Sequence, residues 1–157
     1  MKVKSLMMDP VTQMPIVILR DSSGESLLPI WVGLFEANAI ALQLEKITTP
    51  RPMTHDLLRS VFSHLEAQVQ RILINDLREN TFYATVLVQH KGQELAIDSR
   101  PSDAIALALR TESPIFVDSE VISKAKKSDL RKDAAESERL RKWLEQLEPG
   151  DLGKYEN

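Results

Sequence analysis

Asp98-Ser99-Arg100-Pro101-Ser102-Asp103 places two carboxylates, a guanidinium and a hydroxyl within six residues, and Arg51-Pro52-Met53-Thr54-His55-Asp56 adds a histidine, an acid and a second arginine. A third polar stretch runs from Gly33 to Glu36. Hydrolysis of a phosphate ester uses such groups. Asp98 with Asp103, joined by Glu36 or Asp56, would hold a divalent ion such as Mg2+ or Mn2+ that polarises phosphate and activates water. Arg51 and Arg100 would meet the phosphoryl oxygens, with the hydroxyls of Thr54 and Ser102 as further substrate contacts. His55 supplies an imidazole that could serve as general base or metal ligand. Each group also has a plainer reading. Ser102 caps a helix, Asp103 and Glu36 complement helix dipoles, Arg100 pairs with Asp98, and His55 is an exposed first-turn residue. His64 and His90 read as surface residues.

These stretches share a position in the expected secondary structure: each lies at or just before a helix N-terminus, where free backbone amides attract anions. Weak alternation over residues 2–9 and the apolar run Pro15 to Arg20 predict two strands, closed by the turn Asp21-Ser22-Ser23-Gly24. Ser26 to Val32 predicts a third strand, with Pro29 at an edge or bulge because it cannot donate to a ladder. A helix follows over residues 34–47, apolar on more than one face and so expected to be largely buried. The prolines at 50 and 52 break it, and a second helix begins at Thr54 as cap, with the stripe Leu57, Leu58, Val61, Phe62 and Leu65. Strands are expected at about 68–77, 81–90 and 93–98, then a helix capped by Ser102, a short strand at 115–117 and a helix capped by Ser119.

One internal repeat is visible. Asn38-Ala39-Ile40-Ala41-Leu42-Gln43-Leu44 and Asp103-Ala104-Ile105-Ala106-Leu107-Ala108-Leu109 share five of seven residues, and each copy follows three expected strands. Either two buried Ala/Leu helices resemble each other by chance, or the fold is α+β, built from two similar strand-strand-strand-helix units packed as one domain with extra helices and a C-terminal helical tail.

The 157 residues suit one domain with a real core, and a 43% hydrophobic, 27% charged composition is that of a globular chain. Cysteine is absent, which removes disulfides, thiolate metal sites and cysteine nucleophiles. Met1 to Met8 is too short an apolar stretch for a signal peptide, so a cytoplasmic location without membrane contact is expected. The net charge of -3 shows no basic excess of the kind that marks a nucleic-acid binder. Phosphate-loop, dinucleotide-fingerprint, His-Glu-x-x-His and Gly-x-Ser-x-Gly motifs are all missing, so no nucleotide cofactor is expected.

Taken in order, Leu28-Pro29-Ile30-Trp31-Val32-Gly33 with Phe35-Glu36-Ala37 and Ala39-Ile40-Ala41-Leu42, then Arg51 to Leu58, then Phe82-Tyr83-Ala84, then Asp98 to Ala108, resemble the signature of the bifunctional nuclease domain family. The resemblance covers residues 1–126 and leaves a charged helical tail at 127–157, in which the UVR-type module carried by some relatives is not evident. It implies an α+β fold, a homodimer or higher homo-oligomer, and cleavage of both DNA and RNA. The family supplies no assigned catalytic residues, so Asp98, Asp103, His55 and Arg100 stand as candidates. The alternative is a non-catalytic regulatory or interaction domain that binds an anionic ligand or a protein partner.

Overall fold

The computed structural model describes residues 1–10 and 12–129. The expected tail at 127–157 therefore lies outside the described residues beyond 129. Strands β1 (Lys2–Met8), β2 (Pro15–Arg20) and β3 (Leu27–Trp31) form an antiparallel sheet in that order, followed by helices α1 (Leu34–Leu44) and α2 (Thr54–His64). Strands β4 (Gln68–Arg78), β5 (Thr81–His90) and β6 (Gln93–Ser99) form a second antiparallel meander, followed by α3 (Pro101–Thr111). A short strand β7 (Ile115–Val117) then pairs parallel to β4, and α4 (Ser119–Asp129) ends the described chain. The two meander-plus-helix units are those the Ala-rich repeat anticipates.

Local chemistry explains the meanders. In β2, Ile16, Val17, Ile18 and Leu19 are β-branched or bulky and all fully buried, as befits the central strand of its sheet. Pro29 falls on β3, the sheet's edge, where its missing N–H costs least. Both hairpins of the second sheet turn on two residues with positive φ, Glu79-Asn80 and Lys91-Gly92. Positive φ at both central positions is what a type I′ turn needs to follow the strands' twist. On β5, Ala84, Val86 and Val88 face inward and Phe82 packs against the same core.

The core is continuous across both units. Val17, Leu19, Leu28 and Ile30 from the first sheet join Ile72, Ile74, Ala84 and Val88 from the second around α3, whose residues Ala104 to Ala108 are all buried. Small side chains let this helix approach both α1 and the strands closely. Two expectations need correction. Helix α1 is not largely buried: only Ala37, Ala39 and Ile40 are, while Leu34 is exposed and Phe35 is 87% exposed. Here one apolar side of the helix is turned to the core and the other is left uncovered, against the usual burial of a helix apolar all round. The expected caps also shift. The N-cap positions of α2 and α3 are Met53 and Arg100, so Thr54 is the first helical residue of α2 and Ser102 the second of α3. At α4 it is Asp118, not Ser119, whose carboxylate accepts a first-turn amide, that of Glu120 at 2.9 Å.

Candidate functional site

Helices α1, α2 and α3 begin without a capping side chain, and each carries an acid at its third residue: Glu36, Asp56 and Asp103. An acid there faces the free amides and the positive end of the dipole. Asp56 shows this directly, with its Oδ2 accepting the Met53 amide at 2.9 Å. Glu36 folds back over Gly33, where a Cβ would lie 2.2 Å from its Oε2.

Tertiary packing then joins these starts. The Arg100 guanidinium bonds Asp103 Oδ2 through Nε at 2.7 Å and Glu36 Oε1 through Nη2 at 2.9 Å. On its other oxygen, Asp103 meets His55 Nε2 at 3.0 Å. The result is a continuous chain, Glu36–Arg100–Asp103–His55, that links the N-termini of three helices distant in sequence. Its members differ in access: the Arg100 side chain is 66% exposed, that of Asp103 30%, and His55 is buried. Burial pushes the Asp103 carboxyl upward, but the hydrogen bonds from Arg100 and His55, with their charges, outweigh it and hold the group below the usual carboxylate range.

Asp56 turns away from this chain. It pairs at 2.6 Å with Arg110 Nε, and the Arg110 guanidinium, 2% exposed, also donates through Nη1 to the carbonyls of Ala39 at 3.0 Å and Ala106 at 2.9 Å. One buried cation thus ties α1, α2 and α3 together beside the candidate site. Burial opposes the Asp56 charge, yet the Met53 amide and Arg110 together lower its pKa. Arg110 was not among the expected residues. Its signal was a cation at the fourth place of the helical stripe Asp103, Ala106, Leu107, Arg110, on a helix otherwise apolar on that face.

Asp98 is not brought to the cluster. It is exposed on β6 opposite Thr85, whereas the next residue, Ser99, is opposite fully buried Ala84. Directly paired residues share a face, so Asp98 points to the side of the sheet away from α3. The proposed alternative pairing of Arg100 with Asp98 is likewise replaced by Arg100 with Asp103 and Glu36. Arg51 and Thr54 are exposed beside the start of α2, and Ser102 is buried in the first turn of α3. His64 is exposed and contacts the Ser60 carbonyl at 2.7 Å. His90 departs from the surface expectation, being half-buried with Nδ1 lacking a partner among the described residues.

The donor set does not fit a divalent ion as arranged. Glu36 and Asp103 are already bridged by a guanidinium, Asp98 lies across the sheet, and among the described residues no three His, Asp or Glu side chains group closely enough to hold a metal.

An α+β protein with three helix starts gathered on an arginine, two acids and a histidine is the class that fold and site define. Residues 17–129 match the bifunctional nuclease domain, and the chain belongs to that family. An uncharacterized protein of Mycobacterium tuberculosis is 36% identical over 147 residues, covering 88% of either chain. Bifunctional nuclease 1 of Oryza sativa subsp. japonica is 27% identical over 105 residues, covering 65% of this chain and 32% of its own length. Bifunctional nuclease 2 of the same plant is 27% identical over 107 residues, 33% of its length. The chain thus spans about a third of these plant nucleases. Among the described residues, no helix is long and apolar enough to cross a membrane.

Proposed function

We propose that this protein is a nuclease that hydrolyses phosphodiester bonds in both DNA and RNA, acting in the cytoplasm. The observation that carries the reading is the chain Glu36–Arg100–Asp103–His55 at three converging helix N-termini. A scissile phosphate would rest against the exposed Arg100 guanidinium and the free amides of the helix starts, with Arg51 and Thr54 at the margin. Asp103, held ionised, accepts a proton-bearing Nε2, which leaves Nδ1 of His55 as the basic nitrogen. His55 then takes a proton from water as the water oxygen attacks phosphorus, the bond to the leaving oxygen breaks, and that oxygen takes up a proton from solvent. Water is the nucleophile common to both substrates, because DNA has no 2′-hydroxyl.

Arg100→Ala is expected to lower turnover on single-stranded DNA and RNA about 10²- to 10³-fold, the loss typical of one electrostatic contact to a transition state. The assay compares parent and variant with chelator and with added Mg2+ or Mn2+. Intact substrates in every condition, or an unchanged rate in the variant, would overturn the reading. A variant that changes only the melting temperature, with no cleavage to lose, favours the non-catalytic alternative, to which the fully ion-paired state of Glu36 and Asp103 also lends itself.

The same reading includes a homodimer or higher homo-oligomer. Leu57 and Val61 on α2 and Leu65 at its C-cap recur every fourth residue and are all exposed, the two leucines at 59%. An uncovered apolar stripe of this kind suits association with a second copy. In light scattering, Leu57→Glu/Val61→Glu is expected to reduce the mass of the parent assembly to that of one chain. A monomeric parent, or an unchanged mass, would refute it.

A further inference from the structure

We propose a second, independent anion site: a cleft of about 550 Å³ at the far end of the first sheet, lined by Lys2, Lys4 and Arg20, that binds the phosphodiester backbone of a nucleic-acid strand. It rests on the nucleic-acid reading above for the identity of its ligand, but not on any catalytic role of His55 or Arg100.

Three observations converge on it. Lys2 and Arg20 sit directly opposite each other in the β1–β2 ladder, a like-charge cross-strand pair whose repulsion an anion lying between them would relieve. Lys4 falls at a register shift between Val3 and Ser5, the extra residue of a bulge, and such residues re-aim a side chain out of the regular ladder. Among the described residues, no salt bridge neutralises any of the three.

The nearby acid is already engaged. Asp21 lines the same cleft, but its Oδ1 accepts the Gly24 amide at 2.7 Å and its Oδ2 the Ser23 hydroxyl at 2.9 Å, so both oxygens are turned into their own loop. Gly24 has φ +82°, and a Cβ there would lie 2.2 Å from Arg20 Nη2. The turn therefore uses glycine both for its backbone and to let the Arg20 side chain lie against it. In a chain of net charge -3, this is a local concentration of positive charge with a cavity in front of it.

Geometry selects a polymer. Arg20 is opposite Leu27 at the start of β3, whereas Trp31 at its end leads into Gly33 and Glu36 of the helix-start cluster. The two ends of that strand, Leu27 and Trp31, are four residue steps or about 13 Å apart at the usual rise, with the cleft beside one end and the cluster beyond the other. A single phosphate occupies one site. A continuous strand spans both, and the cleft would then hold the flanking backbone in register with the cluster.

The test measures binding by fluorescence anisotropy, using a labelled, cleavage-resistant phosphorothioate single-stranded DNA 20-mer (~20 nucleotides spans an ordinary single-strand site), so that any cleavage does not consume the probe. Lys2→Gln/Lys4→Gln/Arg20→Gln is expected to weaken binding at least tenfold and to flatten the slope of log affinity against log salt by about 2, at ~0.7 per lost single-strand phosphate contact. Lys2→Arg/Lys4→Arg is expected to retain both. Relief of the like-charge pair predicts that the glutamine variant melts no lower than its parent, which separates lost binding from lost fold. Unchanged affinity and slope overturn the site even if the enzyme cleaves. Competition by inorganic phosphate that abolishes strand binding at equal phosphate concentration also overturns it, since that marks a pocket for a single anion. Persistence of the effect in a protein that cleaves nothing leaves the cleft standing and the nuclease reading failed.

Discussion

Asp56→Ala is expected to lower folding stability by about 3 kcal/mol, the lower end of the cost of stranding one partner of a buried ion pair. The buried partner is Arg110: at 2% exposure it is shielded from water, and without the carboxylate its charge keeps, among the described residues, the Ala39 and Ala106 carbonyls. The Met53 amide loses its acceptor at the same time. The lower end applies because the Asp56 side chain is itself 28% exposed, which weakens the pair that is lost. For a domain of this size the drop amounts to about 6–12 °C in melting temperature. Asp56→Ala/Arg110→Leu should recover part of it, because removing both charges relieves the stranded guanidinium. A single variant that costs under about 1 kcal/mol would show that this pair does not hold α2 to its neighbours. Acid should act on the same contact. The folded pKa of Asp56 is depressed, so its contribution is complete above the unfolded value near 3.9 and is lost as pH falls through the lower folded value. Asp103, depressed by Arg100 and His55 against its burial, follows the same sign.

How far such features can be read from the chain depends on the range of the interaction. The meanders were legible because alternation in Phe82 to Val88 and the turns at Gly24 and Lys91-Gly92 are local, and because the Ala-rich repeat announces two units. Cap positions were legible in kind but not in place. Thr54 and Ser102 rank high as caps, yet Met53 and Arg100 hold those positions, since an acid at the third residue supplies the compensating charge at each start. Asp98 and Asp103 look like a pair at a spacing of five, but period-two alternation in β6 sends Asp98 to the opposite face of the sheet. Arg110 left a trace as a lone cation on its helical stripe, but its partner Asp56 and the Glu36–Arg100 contact were invisible, because each joins segments dozens of residues apart whose approach is fixed only by packing around α3. Uncovered Phe35 and the α2 leucines carry the same lesson: sequence shows that a helix has apolar faces, not which one the core takes.

The second large effect concerns His55 and Asp103 acting as one unit. His55→Ala is expected to reduce turnover about 10²- to 10⁴-fold, the span associated with loss of a general acid–base group. Asp103→Asn keeps the size of the side chain but removes the charge that orients Nε2–H and that stabilises the imidazolium formed when His55 takes a proton. It also weakens the hold on Arg100, so its effect should fall mainly on kcat, with a smaller rise in KM from a mispositioned guanidinium. A merely structural role makes a different forecast. If Asp103 only packs α2 against α3, then His55→Ala/Asp103→Asn should lose the product of the two single effects. If it works through the imidazole, the double variant should be about as slow as His55→Ala alone, because there is no ring left to orient. Steady-state rates on one DNA and one RNA strand, with melting temperatures taken alongside, decide between them. Full activity in Asp103→Asn would remove the dyad from the mechanism and leave Arg100 and the helix amides as the groups that meet phosphate.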